Sequence, residues 1–273
     1  MLRTLLVITA LLAAGCSHSP APASDPATLA GDPNAFVSTC VERDVCVLYQ
    51  PRLHIQPRGN VTVIEQSRGI VLIDTGGTPA AADAVIAFVR ARTTKPVTDI
   101  VIKHWHGDHL LGAERLLSVW PQARIIASAP TNTMVTGSDA DRFMPGDNAE
   151  ANARLRSNIE GGVAYLRAEG QNQALSTAER EAFSSSADEL QRYGDDILTA
   201  RRVAPSIVFD RTMTLPDSRV PIELGVWGRG NTEGDVVAWL PRERIVVTGD
   251  LLVAPIPFGF NTYPGDWIAV LDR

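Results

Sequence analysis

Four side chains that often bind metal ions lie close together in the stretch KHWHGDHLLG: His104, His106, Asp108 and His109. Alternate side chains of an extended segment point the same way, so His104, His106 and Asp108 can converge. Gly107 allows the backbone to turn, after which His109 can reach a neighbouring position. Three imidazoles and one carboxylate suit zinc or a similar divalent cation, and they suit two adjacent sites best. The stretch therefore predicts a metal centre, and a chance cluster of histidines in a surface loop is the weaker alternative.

The segments before this motif have the patterns of strands and a helix. Residues 61–77, VTVIEQSRGIVLIDTGG, predict two apolar strands that end in a glycine-rich turn. A helix capped by Thr78 follows, with apolar residues at helical spacing. Residues 97–103 then form a short β-branched run typical of a buried strand. This strand leads directly into His104.

The segments after the motif continue the alternation of helix and strand. Residues 110–120 predict a helix and residues 123–129 a strand. Further strands are expected near Ile207 and over residues 211–215, 220–226, 236–240 and 244–248, and a last helix is expected from Asp266. The alternation predicts an α/β layered domain.

Residues 139–204 differ in composition, being rich in Ala, Glu, Arg and Ser. Two helical stripes stand out, one of Ile159, Val163 and Leu166, the other of Phe183, Ala187 and Leu190. Ser176 and Glu179 form a capping box before the second stripe. These few apolar positions are enough to dock helices on another layer, but they are too few to form a separate core. We therefore interpret this segment as a helical insertion.

The amino terminus predicts export. Residues 1–15 have the basic start and short apolar run of a signal peptide, and the run is too short to span a bilayer. The sequence LAAGC, which ends at Cys16, resembles the lipobox of bacterial lipoproteins, so we expect Cys16 to carry a lipid anchor. The alternative is ordinary cleavage and release into the periplasm. Residues 16–35 then predict a flexible tether, and residues 36–273 the folded domain. The expected location is the bacterial periplasm, on a membrane such as the outer membrane.

Cys40 and Cys46 remain as a pair in an oxidising compartment, so they are expected to form a disulfide, with two buried thiols as the alternative. The formal net charge is −6 and the sequence has no basic run, which disfavours a nucleic-acid partner. A small-molecule substrate is expected instead.

The motifs taken together resemble one family. The pattern H-x-H-x-D-H after a strand, with Asp-Thr-Gly from Asp74 upstream and Thr-Gly-Asp ending at Asp250 downstream, is similar to the metallo-β-lactamase superfamily of hydrolases. The resemblance implies an αββα sandwich with metals at one edge of the two sheets. It implies one or two divalent cations, zinc first, with manganese or iron as options.

The resemblance also implies roles for individual residues. His104 and His106 would hold the first metal, Asp108 and His109 the second, and Asp250 would bridge the two. Asp74 and Asp235 would brace the ligands and the loops without touching the metals. Asp108 is also the expected catalytic residue, because it would orient the attacking water and carry its proton.

Two departures from the family pattern concern the ligands. Asn231 stands where the family normally has a histidine, and its amide oxygen is a weaker and harder donor than imidazole. The family usually takes a last histidine from beyond the bridging Asp, but no histidine follows His109 here, so we interpret the sandwich as incomplete at its carboxyl end. The two remaining histidines, His18 and His54, are expected to be solvated.

The expected chemistry is hydrolysis, in which a metal makes water nucleophilic and a hydroxide attacks a carbonyl. A carboxylate at Asp250 resembles the thioesterase and lactonase branches, so an ester, lactone or thioester is the expected substrate. A β-lactam is the first alternative, and a degenerate metal-binding lipoprotein without turnover is the second. Trp267 and the apolar loop at residues 253–260 could line a pocket, although packing is the more common role of such residues.

Overall fold

The computed structural model describes residues 36–51, 54–56, 58–253, 259 and 261–273. The expected signal peptide, lipid anchor at Cys16 and tether lie outside these residues, as does most of the apolar loop at 253–260, so these interpretations stay predictions. None of the helices in the described ranges combines the length and hydropathy needed to cross a bilayer.

Strands in the described part of the chain form two sheets. They are β1 (Val37–Glu42), β2 (Val45–Tyr49), β3 (Val61–Glu65), β4 (Ile70–Ile73), β5 (Val97–Ile102), β6 (Arg124–Ser128), β7 (Ile207–Phe209), β8 (Thr212–Leu215), β9 (Ile222–Val226), β10 (Val236–Leu240) and β11 (Ile245–Val247). The larger sheet has the order β1 to β7, with β1 to β4 antiparallel and β4 to β7 parallel. The smaller sheet has the order β11-β10-β9-β8 and is antiparallel throughout.

Helices cover the larger sheet and the outer side of the smaller one. They are α1 (Pro79–Arg92), α2 (Gly107–Leu110), α3 (Ala113–Val119), α4 (Ala129–Thr136), α5 (Ala149–Glu169), α6 (Thr177–Ile197) and α7 (Pro264–Leu271). Thr78 caps α1 as expected, since its hydroxyl accepts a hydrogen bond from Ala81 N. The capping box of Ser176 and Glu179 at the start of α6 is also present.

Two apolar clusters explain why the elements stack in layers. On β5, Ile100 and Ile102 face one cluster with the helices, while Val101 faces a second cluster with the smaller sheet. This alternation buries both faces of the parallel strands, as expected for a central sheet. A third group on the outer side of the smaller sheet joins Val237 to Val270 of α7. The result is two stacked sheets with helices on their outer sides, the αββα arrangement that the sequence analysis expected.

The insertion consists mainly of α5 and α6. Ile159, Val163 and Leu190 are buried in the same cluster as α1 and the larger sheet. Ala187 is buried as well, whereas Phe183 and Leu166 are half-buried. The two long helices therefore dock on the helical layer through the positions that the stripes predicted.

One segment that was predicted to be a single helix forms two helices. The segment 110–120 is divided into α2 and α3, because Gly112 packs against the turn after β4. Gly112 N donates to Thr75 Oγ1 at 3.1 Å, and a Cβ at Gly112 would lie 2.4 Å from Thr75 O. The hairpin of β1 and β2 and the helix α4 were not predicted. The strand β1 is mostly exposed, so its sequence has no regular apolar alternation.

The hairpin carries the cysteine pair. Cys40 and Cys46 stand opposite each other on β1 and β2 and are joined by a disulfide in the structure. The bond ties the exposed edge strand β1 to the buried strand β2.

Asp217 links the two sheets through a network of hydrogen bonds. It accepts from Ser67 N at 3.0 Å and from the Ser67 hydroxyl, and from the backbone N–H groups of Arg219 and Val220. Burial raises the pKa of Asp217, but these donors outweigh burial and lower the pKa to about 2. Because the folded pKa is below the ordinary value of 3.8, the carboxylate stabilises the fold above that pH.

We therefore expect Asp217→Asn to lower the free energy of unfolding by about 1–3 kcal/mol at pH 7. The difference from the parent protein should shrink as the pH falls from about 4 towards 2, where the parent carboxylate is itself protonated. Urea unfolding of the metal-free protein at several pH values measures this. Asp188→Asn, at an exposed position of α6, is the control. A difference that stays constant down to pH 2 would contradict the assignment.

Candidate metal centre

The predicted motif lies at the edge where the two sheets meet. His104 follows β5 of the larger sheet, whereas Asn231 precedes β10 of the smaller sheet and Asp250 lies in a 3₁₀ turn after β11. The sheets are joined here by a backbone hydrogen bond of 2.9 Å from Val236 N to Lys103 O. Donors from both sheets therefore converge on one place.

His104, His109 and Asp250 form the centre of the cluster. One ligand atom from each lies within 4.8 Å of the others. His109 Nε2 is 3.3 Å from Asp250 Oδ1, and His104 Nε2 is 3.8 Å from Asp250 Oδ2. Both imidazoles are buried, while the Asp250 side chain is 25% exposed. Two imidazoles and a carboxylate at such distances are a donor set for a divalent cation.

His106 and Asp108 extend this cluster on either side. His106 Nδ1 lies 3.0 Å from His104 Nε2, and Asp108 Oδ2 lies 3.3 Å from His109 Nε2. The Asp108 side chain is 36% exposed, so its carboxylate faces solvent on the open side of the site. The structure thus brings together all four residues of the predicted motif with Asp250.

Asn231 is also in the cluster. Its Nδ2 donates to Asp250 Oδ2 at 3.2 Å, and its Oδ1 is buried without a hydrogen-bond partner among the described residues. Leaving a buried acceptor unsatisfied costs about 1–3 kcal/mol. A half-turn of the amide would direct Oδ1 towards a cation beside Asp250 and satisfy that oxygen, so the residues fit the expected metal.

Two further carboxylates orient the imidazoles. Asp74 accepts hydrogen bonds from Lys103 N at 2.9 Å and from His109 Nδ1 at 2.8 Å, which leaves His109 Nε2 facing Asp250. Asp235 accepts from Thr232 N at 2.8 Å, and its other oxygen lies 3.7 Å from His104 Nδ1. Such carboxylate–imidazole contacts fix the ring orientation of metal ligands.

The pKa values favour neutral imidazoles on one side of the cluster. Burial and the neighbouring His109 lower the pKa of His104 well below its usual range, and burial lowers the pKa of His106 to about 4. Burial also raises the pKa of Asp235 to about 6. Neutral His104 and His106 have free electron pairs for a metal at pH 7.

His109 and Asp250 behave differently. Burial opposes the charge of His109, but Asp108, Asp74 and Asp250 outweigh it and raise the pKa of His109 well above its usual range. Burial likewise opposes the charge of Asp250, and the His109 imidazolium outweighs it and lowers the pKa of Asp250. Without a metal, the proton on His109 therefore supplies the positive charge that the carboxylates need.

Lys103 belongs to the site but was not predicted. Its side chain is fully buried, and its Nζ has no hydrogen-bond partner within the described ranges. Burial lowers the pKa of Lys103 to about 8, against the opposing effects of Asp74, Asp250 and Asp235. Gly249 makes room for it, since a Cβ there would lie 2.7 Å from Nζ. The sequence feature that could have indicated a buried lysine is its position at the end of an apolar strand.

The expectation that His54 is solvated is wrong. His54 is 6% exposed, and its Nδ1 lies 3.2 Å from Glu189 Oε2 of α6. The reason is that α6 covers this segment, and the sequence alone does not show that Glu189 comes to lie there. Trp267 packs with Val237 and Leu251 and donates to Leu251 O at 3.2 Å, in accordance with a packing role.

Comparisons with known proteins concern the family and the fold. The model of the metallo-beta-lactamase superfamily matches residues 56–273. A curated linear primary-alkylsulfatase of a Pseudomonas species is 21% identical over 224 residues, which cover 77% of this chain but 38% of that protein.

Two solved structures share the fold. A metallo-beta-lactamase from Pontibacter korlensis has a TM-score of 0.58 at 15% identity, covering 88% of this chain and 84% of the other. The sec-alkylsulfatase Pisa1 from Pseudomonas sp. has a TM-score of 0.55 at 19% identity, covering 86% of this chain and 35% of the other. The chain thus spans little more than a third of the length of either alkylsulfatase.

Proposed function

The chain belongs to the metallo-β-lactamase superfamily, and from this premise we propose that it hydrolyses an ester-type bond of a small molecule with the help of bound divalent metal. The observation that carries the proposal is the convergence of His104, His109 and Asp250 within 4.8 Å at the edge of the two sheets. The buried and unsatisfied Asn231 Oδ1 supports it.

The proposed metal ligands divide into two sets. One cation would be held by His104, His106 and Asn231. A second cation would be held by Asp108 and His109. Asp250 would contribute to both sites. When bound, zinc or a harder divalent cation supplies a Lewis acid that lowers the pKa of water and offsets negative charge on the substrate. The amide of Asn231 should weaken zinc binding in the first set relative to an imidazole, which favours a harder ion there.

Asp108 is proposed as the residue that handles the proton. Its carboxylate is the most exposed acid of the cluster and lies 3.3 Å from His109 Nε2, so it can reach both solvent and the reacting groups. An accessible carboxylate can accept the proton of the attacking water and return it to the leaving group. His109, oriented by Asp74, fixes the position from which Asp108 acts.

The proposed substrates are carbonyl esters, lactones or thioesters, because Asp250 supplies a carboxylate where the thioesterase and lactonase branches have one. Alkyl sulfate esters are a second candidate, favoured by the likeness to two alkylsulfatases. A β-lactam is a third, since one structural neighbour bears that family's name.

A panel of substrates with and without chelator tests the proposal. We expect the metal-loaded protein to hydrolyse at least one of a p-nitrophenyl acyl ester, an acyl thioester, a lactone, an alkyl sulfate and a chromogenic cephalosporin. EDTA should abolish that turnover, and zinc or manganese should restore it, because the proposed reaction needs a metal to lower the pKa of the attacking water. Metal content is measured on the same samples.

Two results would contradict the proposal. Turnover that survives complete removal of metal would exclude a metal-dependent reaction. Stoichiometric metal without turnover of any substrate would favour a metal-binding protein that does not catalyse hydrolysis.

A further inference from the structure

The backbone of Asp108 is packed between two glycines from different loops. A Cβ at Gly59 would lie 2.6 Å from Asp108 O, and a Cβ at Gly77 would lie 2.4 Å from Asp108 Cα. Real side chains essentially never come that close, so both loops fit Asp108 only through glycine. A shift of either loop therefore changes the space that Asp108 occupies.

The first loop is held by helix α6 of the insertion. Glu189 Oε2 lies 3.2 Å from His54 Nδ1 and accepts from Ile55 N at 3.4 Å. Four residues further along α6, the ring of Tyr193 lies under the guanidinium of Arg58, 4.9 Å from its central carbon. Both contacts lie within five residues of Gly59, so α6 contacts the chain at His54, Ile55 and Arg58, close to the point where Gly59 meets Asp108.

The second loop is held by the same helix. Asp196 Oδ1 accepts from Ala80 N at 3.2 Å, in the first turn of α1. A carboxylate at a helix amino terminus also interacts favourably with the helix dipole. The turn containing Gly77 lies directly before this helix. Asp196 therefore holds the second segment that packs against the backbone of Asp108.

The residues of α6 that contact the two loops lie on one face of the helix. Glu189, Tyr193 and Asp196 follow each other at spacings of four and three residues, the spacing of neighbours on a helix surface. His54 and Glu189 are both buried, and burying two ionisable side chains is costly unless they pair well. Helical packing alone would not require a polar face at this place, because apolar residues would cover the loops as well.

We propose that α6 positions Asp108, with Glu189 and Asp196 as positioning residues that act through the loops of Gly59 and Gly77. The insertion then shapes the proposed reaction centre although it supplies none of its proposed ligands. The inference rests on the proposed function for the role of Asp108, whereas the packing on which it depends is independent of any activity.

Hydrogen exchange of the metal-free protein tests the packing directly. In Glu189→Ala we expect backbone amides of residues 107–112 to exchange at least about tenfold faster than in the parent, because local openings become more frequent. Asp196→Ala should have the same effect from the other loop, and Glu189→Gln should restore part of the protection. Glu181→Ala, at an exposed position of the same helix, is the matched control and should change nothing at residues 107–112.

Metal binding gives a second measurement. Loss of a residue that orients a ligand typically costs 10–100-fold in metal affinity. We expect one of the two zinc equivalents, the one that Asp108 and His109 would hold, to lose that much affinity in Glu189→Ala, measured by calorimetric titration, and neither equivalent to change in Glu181→Ala. If a substrate has been found, kcat should fall while KM stays nearly constant.

The proposal is overturned if Glu189→Ala and Asp196→Ala loosen only their own loops and leave the exchange of residues 107–112 and the zinc affinity unchanged. The inference and the proposed function can fail separately. Faster exchange at residues 107–112 in a protein that hydrolyses no substrate would support the positioning by α6 and count against the hydrolase.

Discussion

Replacing His109 with alanine is expected to remove about one equivalent of bound metal and to reduce kcat/KM at least a thousandfold. His109 Nε2 lies 3.3 Å from both Asp108 and Asp250, so its loss affects the proposed second metal and both carboxylates beside it. Lewis-acid stabilisation is worth several kcal/mol, and about 4 kcal/mol corresponds to a thousandfold in rate. Elemental analysis and steady-state kinetics on the best substrate of the panel measure the two effects.

Asp74→Asn is the graded control for this change. Asparagine tolerates the positive φ of 67° at this position and can still accept a hydrogen bond, but it carries no charge to orient His109. We expect a loss of 10–100-fold in metal affinity or activity, between the parent and His109→Ala. A His109→Ala protein that keeps its full metal content and its turnover would exclude His109 as a ligand.

Replacing Gly77 with alanine is expected to cost about 2–5 kcal/mol of folding free energy and to weaken metal binding. The residue has φ of +85°, where a side chain is strained, and its Cβ would lie 2.4 Å from Asp108 Cα. The backbone of Asp108 must then move, since backbone atoms cannot swing aside like a flexible side chain. Both effects should appear together, as a lower midpoint of urea unfolding and as a smaller zinc affinity.

Gly161→Ala is the matched control, because nothing lies within 4 Å of a Cβ at Gly161. This glycine lies inside α5, where alanine is favoured over glycine by up to about 1 kcal/mol. Gly161→Ala should therefore be neutral or stabilising. Equal unfolding midpoints for the two variants would show that Asp108 has more freedom than the structure indicates.

The fold could be predicted where burial produces a pattern in the sequence. The β-branched run of β5 and the Thr78 cap of α1 predict those elements directly, because both faces of β5 and one face of α1 are buried. The hairpin of β1 and β2 could not be predicted in this way, since β1 is mostly exposed. The break between α2 and α3 depends on the approach of Gly112 to Thr75, which is a contact between distant segments.

Strand and turn geometry alone predicts only the local part of the candidate site, whereas the distant residues Asp250, Asn231, Asp74 and Asp235 were expected from the family resemblance. His104, His106, Asp108 and His109 are close in sequence, so their convergence follows from strand and turn geometry. The role of Lys103 as a buried cation depends on carboxylates from three other segments. The pairing of His54 with Glu189 depends on how α6 docks, and no spacing of residues in the sequence indicates that contact.

The proposed metal ligands come from two different sheets, and this arrangement affects how stable and how abundant the protein would be. A cation held by His104 and His109 from one sheet and Asp250 from the other, as proposed, would bind only while the sheets are stacked and would stabilise the folded chain by mass action. At a free concentration a thousand times Kd this amounts to about 4 kcal/mol. Proteases that degrade opened chains would then remove the protein faster when metal is scarce, and its abundance would report on metal supply.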